Sequence, residues 1–146
     1  MTQRVLWSIL AACIVLVGPW IAQAQQIDGD VIVKSLSGAP GDVDRGRAIV
    51  LSRQSGLCIL CHSGPFPDER FQGNLAPDLA ASAARLSQGQ LRARIVDASR
   101  FNPDTIMPSY FKKGSFTRVA PQFADKTMLT AQEIEDVVAF LLSLKP

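Results

Sequence analysis

The sequence predicts an all-α domain of three or four helices joined in part by one long irregular loop. Three observations point there. Apolar residues recur at three- and four-residue spacing in separate stretches that open at Asp42, Gln90 and Thr130. The segments between them carry glycines and prolines that interrupt any regular element. The chain has 146 residues, 47% of them apolar, which is enough for one compact core and too little for several domains. A formal charge of +2, from 15 Lys+Arg against 13 Asp+Glu, is too balanced for a nucleic-acid-binding face.

The first segment reads as an address, not as structure. Arg4 precedes an apolar run from Val5 to Val17, Gly18-Pro19 breaks it, and Ala22-Gln23-Ala24 has the small-x-small pattern of a signal cleavage site. Residues 1–24 are therefore expected to be removed on export, leaving a mature chain with no membrane segment. Two alternatives are an uncleaved anchor over the 18 residues from Val5 to Ala22, and a lipoprotein box ending at Cys13. Pro19 and the Ala22-x-Ala24 pattern oppose the first, and the apolar residues on both sides of Cys13 oppose the second. Cleavage removes Arg4, both tryptophans and Cys13, so the mature chain holds 14 basic and 13 acidic residues and two thiols, Cys58 and Cys61.

Residues 25–41 include Gly29, Gly38, Pro40 and Gly41 and read as an extended N-terminal arm before a domain spanning 42–146. The first helix is expected from Asp42 to near Gly56, with Val43, Gly46, Ile49 and Val50 inward and Asp42, Asp44, Arg45, Arg47 and Arg53 outward. Residues 63–77 are loop. A second helix is expected over Gln90 to Ser99, with Leu91, Ile95 and Ala98 inward and Arg92 and Arg94 in solvent. Arg100 to Leu129 is irregular, broken by Pro103, Pro108, Gly114 and Pro121, and a loop of that length needs something to pack on. The last helix has a capping box in Thr130 and Glu133, a hydrophobic staple in Leu129 and Ile134, and an apolar stripe through Val137, Val138, Leu141 and Leu142. No internal repeat is visible.

The chemistry lies in Cys58-Ile59-Leu60-Cys61-His62. A Cys-x-x-Cys-His pentapeptide matches the attachment site of c-type haem: two thiols three residues apart can each add across a vinyl group of one porphyrin, bringing the histidine beneath the iron. A structural zinc site wants four Cys or His ligands, and the mature chain supplies three. A thioredoxin-like pair expects a βαβ setting, whereas helices flank this one. A plain disulfide suits an exported protein but leaves the chain's single histidine without a role. One covalent haem c per chain is the expectation, with His62 as one axial ligand.

Met107 is the candidate for the opposite axial position. It lies 45 residues after His62, in Asn102-Pro103-Asp104-Thr105-Ile106-Met107-Pro108, where two prolines stiffen the loop. The alternative for Met107 is a core filler; for Met128, two residues before the Thr130 cap, burial against the staple is the favoured reading. Pro77 is placed to offer its carbonyl to the second nitrogen of His62, and the alternative is an ordinary turn proline. Lys112-Lys113 could guide an acidic partner, although a lysine pair is more often plain solvated loop; Arg92, Arg94 and Arg100 are read the same way.

A helix carrying Gly46, the Cys58-to-His62 motif, Pro77-x-Leu79, Met107-Pro108 and a last helix with Phe140 together resemble the class I cytochromes c. The resemblance covers nearly all of 42–146 and implies that the first and last helices cross at Gly46 beside Phe140. It departs at Ala76, where the family usually has glycine. The arm, the stretch Gly73 to Leu79, the Asn102-to-Pro108 loop and the insert from Tyr110 to Lys126 resemble the SoxX family more narrowly. That resemblance implies a periplasmic monohaem electron-transfer subunit paired with a SoxA-like haem protein. The pair is a heterodimeric L-cysteine S-thiosulfotransferase that couples thiosulfate oxidatively to a cysteine of the SoxYZ carrier. The catalytic haem belongs to SoxA, so no catalytic residue is expected in this chain, and its electrons pass on to a soluble cytochrome c. A free-standing, diffusible class I cytochrome c is the alternative. An open-site gas-binding haem protein fits less well, because its common four-helix form carries the motif near the C-terminus.

Overall fold

The computed structural model describes residues 29–114, 119, 121 and 124–145. The expected signal segment at 1–24, the start of the arm and part of the 110–126 insert lie outside these residues. Among the described residues, four α-helices, α1 (Val43–Leu51), α2 (Leu79–Arg85), α3 (Gln88–Asp97) and α4 (Ala131–Ser143), are joined by loops and by short 3₁₀ turns that include Cys58–Leu60 and Ala98–Arg100. Among the described residues, no helix is long and apolar enough to cross a membrane.

Local chemistry sets each boundary. The Asp42 carboxylate accepts from the Arg45 N–H at 2.8 Å and starts α1. That helix ends at Leu51, short of Gly56, because Ser52 turns extended and its hydroxyl accepts from the N–H groups of Gln54 and Ser55. Asp78 caps α2 through the Ala81 N–H at 3.0 Å. The sequence reading passed over α2: in Leu79–Arg85 only Leu79 and Ala83 are buried, so an alanine-rich segment leaves no apolar period to detect. Reciprocal capping boxes open α3 (Ser87, Gln90) and α4 (Thr130, Glu133). Leu129 and Ile134 form the expected staple, at 2% and 0% exposure. Met128 does not join them; it is 44% exposed.

α1 crosses α4 at Gly46. A Cβ there would run into the Asp136 carbonyl and lie 2.8 Å from the Phe140 Cβ, so only glycine allows the approach. Phe140 in turn stacks on Phe66, ring centres 6.0 Å apart. Gly41, just before α1, meets the Glu135 carbonyl in the same way.

The arm is mostly exposed but is pinned to the helices, with Ile32 reaching the core. Ile32 is 3% exposed, its N–H donates to the Gly89 carbonyl at 3.0 Å, and the Leu36 N–H donates to Glu135 Oε1 at 2.9 Å. Arg92, expected in solvent, is instead 2% exposed and forms a two-point ion pair with Glu135, both bonds 2.8 Å, while its Nη1 donates to the Ile32 carbonyl at 2.6 Å. The hydrophobic count missed it because a buried guanidinium is tolerated only with a partner, and this partner lies 43 residues away. Arg94 is partly exposed, near Asp30 and over the Phe101 ring, and Arg100 is exposed as expected.

Asp136, 1% exposed, accepts from Arg45 Nε at 2.7 Å, Arg45 Nη2 at 2.9 Å, the Asp42 N–H at 2.8 Å and Gln132 Nε2 at 2.9 Å. The Arg45 guanidinium holds this carboxyl down at about 2, against burial that pushes it up. A carboxyl with a depressed folded-state value stabilises above its unfolded value of ~3.9, by on the order of 2 kcal/mol, and loses that contribution as the pH falls towards ~2. Urea unfolding followed from about pH 6 to about pH 2.5 is expected to show this loss. Asp136→Asn should lower stability at the upper end and flatten the acid limb; an unflattened limb would assign the acid dependence to other carboxylates.

Candidate functional site

Leu57 stands in the left-handed region, at φ 58°, and turns the chain sharply into Cys58–Leu60. Backbone bonds then close the turn: Leu60 N–H to the Leu57 carbonyl, and the N–H groups of Cys61 and His62 to the Cys58 carbonyl at 3.1 and 2.9 Å. Ile59 is wholly buried, while Cys58, Cys61 and His62 all face one cavity of about 550 Å³. That volume lies within the ~300–1,000 Å³ typical of cofactor sites.

All four helices give the cavity an apolar wall, through Val50, Leu79, Ile95, Val137 and Leu141. Met107 lines the same cavity, and Met128 does not. The structure thus brings Cys58, Cys61, His62, Pro77 and Met107 together around one space. The donor set suits a flat, largely apolar group carrying a metal that accepts nitrogen and sulfur ligands. The thiols of Cys58 and Cys61 are also in its lining.

The loop from Gly73 to Leu79 is zipped onto the cysteine turn. The Gly73 N–H donates to the Ile59 carbonyl at 2.8 Å, Ala76 to Cys61 at 3.0 Å and Leu79 to Ser63 at 2.9 Å. A Cβ on Gly73 would meet the Leu60 carbonyl and the Cys61 backbone, so this contact requires glycine. His62 Nδ1 lies 2.6 Å from the Pro77 carbonyl, and since a carbonyl only accepts, Nδ1 carries the proton. Nε2 is then left with its lone pair, the form that binds a metal. Ala76 serves where the cytochrome pattern has glycine: its φ is not positive, so a side chain brings no strain there.

One group escaped the sequence reading as part of the site. Tyr110, the chain's one tyrosine, is 3% exposed, and its hydroxyl donates to the Gly56 carbonyl at 2.5 Å, tying the methionine loop to the cysteine turn. Burial raises its hydroxyl well above the usual tyrosine range and pushes the Cys58 thiol up to about 11. Cys58 is therefore held as the neutral thiol near neutral pH. Lys112, considered as a partner-steering charge, sits 3.4 Å from Asp97 Oδ2 and already has a counter-ion.

No family model matches the sequence, and no curated protein does. Among solved structures, the crystal structure of SoxXA from P. pantotrophus matches at a TM-score of 0.73 and 36% identity, over 80% of this chain and 91% of that one. Together with the helices crossing at Gly46, this is the all-α fold of the class I cytochromes c. Identity and coverage of that extent are those of a family relationship. The chain belongs to the SoxX family.

Tyr110→Phe is expected to cost about 1–2 kcal/mol, because the Gly56 carbonyl loses its phenolic donor. A lower urea midpoint with unchanged slope in the full-length protein checks this; an unchanged midpoint would show that the bond contributes nothing.

Proposed function

We propose that this chain is the electron-transfer subunit of a periplasmic SoxAX-type complex, in which Cys58 and Cys61 would hold one haem c covalently and His62 and Met107 would bind its iron. The observation that carries the reading is the convergence of those four side chains on one apolar cavity in a chain 36% identical to part of SoxXA. A haem bound there supplies a centre that changes oxidation state by one electron.

The protein's own residues account for the rest of the role. Pro77 fixes the ring orientation and tautomer of His62. Val50, Ile95, Val137 and Leu141 give the cavity an apolar wall, a setting that would favour electron transfer with little rearrangement. If His62 and Met107 both bound the iron, it would have no free site for substrate, and substrate chemistry would belong to the partner. In this proposal the SoxA-like partner couples thiosulfate to a SoxYZ cysteine, this chain accepts the electrons, and a soluble cytochrome c removes them. The apolar segment and cleavage pattern at 1–24 support export to the periplasm.

On a denaturing gel, the protein purified from its native compartment is expected to show a peroxidase-active haem band, absent from a Cys58→Ser, Cys61→Ser double variant. No band in the parent removes the covalent reading. Met107→Ala is expected to lower the reduction potential and abolish the methionine-to-iron charge-transfer band; an unchanged potential and band would move the ligand elsewhere. Pull-down from periplasm is expected to recover a second haem protein, and a monomer in every fraction would favour the diffusible carrier instead.

A further inference from the structure

We propose that Asp97 is a positioning residue for Met107: its carboxylate clamps the downstream end of the methionine loop to α3 and so holds the thioether over the cavity. The proposal rests on the reading of Met107 as an axial ligand. Asp97 ends α3 and is 9% exposed. Its Oδ1 accepts from the Ser109 hydroxyl at 2.5 Å, the Ser99 hydroxyl at 2.5 Å and the Ser99 N–H at 3.2 Å, and its Oδ2 faces Lys112 Nζ at 3.4 Å. Ser109 and Lys112 lie two and five residues beyond Met107, so one carboxylate grips the chain twice just past the ligand.

The hydrogen bonds upstream are of a different kind. The Asn102 N–H donates to the Ala98 carbonyl at 3.2 Å, and from there to Met107, among the described residues, they run within the loop itself: Asp104 N–H to Asn102 Oδ1, Thr105 N–H to the Asn102 carbonyl and Met107 N–H to Thr105 Oγ1. Ile106 is 74% exposed. Downstream, the N–H groups of Tyr110 and Phe111 donate to the Ile95 and Val96 carbonyls, both at 3.2 Å, and Asp97 continues that line of attachment along α3. Burial acts to raise the Asp97 carboxyl, but the hydroxyls of Ser109 and Ser99 and the Lys112 ammonium outweigh it and hold it below its ordinary value. The grip is thus made by a charged acceptor, and such bonds are roughly twice as strong as neutral ones.

Imidazole binding to the oxidised holoprotein reads the clamp, because imidazole reaches the iron only when Met107 swings away. Its apparent affinity therefore scales with the fraction of molecules whose loop is open. Asp97→Ala is expected to tighten imidazole binding by about tenfold, and Ser109→Ala by a few fold, with the two effects less than additive. Asp136→Asn, which weakens the α1–α4 crossing, is expected to lower urea stability and leave imidazole affinity unchanged. If it tightens imidazole as much as Asp97→Ala does, general loosening is the cause and the clamp is overturned. Parental imidazole affinity in both Asp97→Ala and Ser109→Ala also overturns it; if Met107→Ala has meanwhile lost the charge-transfer band, the ligand reading stands. Retention of that band in Met107→Ala removes the ligand reading and the clamp together.

Discussion

At residue 46 there is no room for a side chain, and the close approach of α1 to α4 follows from that single constraint. The Asp136 carbonyl and the Phe140 Cβ fill the space a Cβ would need. With the crossing set there, Val50 on α1 and Val137 and Leu141 on α4 converge on one cavity, and Phe140 is left to stack on Phe66. A wider crossing would separate the walls and admit water. The geometry of the cavity is in this sense a consequence of one missing methyl group.

Buried charge reinforces the crossing. Two adjacent acidic residues of α4 draw in the arm, α1 and α3: Glu135 takes Arg92 and the Leu36 N–H, and Asp136 takes Arg45 and the Asp42 N–H. Bringing the Arg92–Glu135 pair out of water costs several kcal/mol per ion, and that cost is recovered only with good geometry and full hydrogen bonding. Both conditions hold, and among the described residues every buried side-chain nitrogen or oxygen has a partner. What the pair contributes is direction as much as stability. An apolar contact could slide, whereas a two-point guanidinium bond together with the Ile32 carbonyl admits one placement of the arm.

The site joins two parts of the chain that differ in regularity. The cysteine turn and the Gly73-to-Leu79 loop are bound to each other by successive backbone bonds, so His62 sits on a rigid edge. Met107 comes from an irregular loop whose attachments to the rest of the molecule lie mostly beyond it, at Ser109, Tyr110 and Phe111. One wall of the cavity thus rests on a closely bonded turn and the other on a tethered loop. Strain at Leu57, in the left-handed region, is tolerated because the turn that follows is closed by its own hydrogen bonds.

Features read correctly from the residues were those whose chemistry is contained in a short segment. The capping box at Thr130 and Glu133 and the staple of Leu129 and Ile134 each need no more than a few neighbours to make sense, and the residues singled out from Cys58 to His62 and at Met107 do line one cavity. The crossing at Gly46 was accessible only through resemblance to a known fold. Helix α2 went unseen because alanines leave no periodic signal, and its start rests on one capping carboxylate. Arg92, Tyr110 and Asp97 could not be placed from sequence at all. Each is polar, and whether a polar group is solvated or buried depends on a partner brought close in space: Glu135 for Arg92, the Gly56 carbonyl for Tyr110, Ser109 for Asp97. Local patterns encode which chemistry a segment can perform, while desolvation, a property of the packed molecule, decides which charges and hydroxyls are drawn in to hold that chemistry in place.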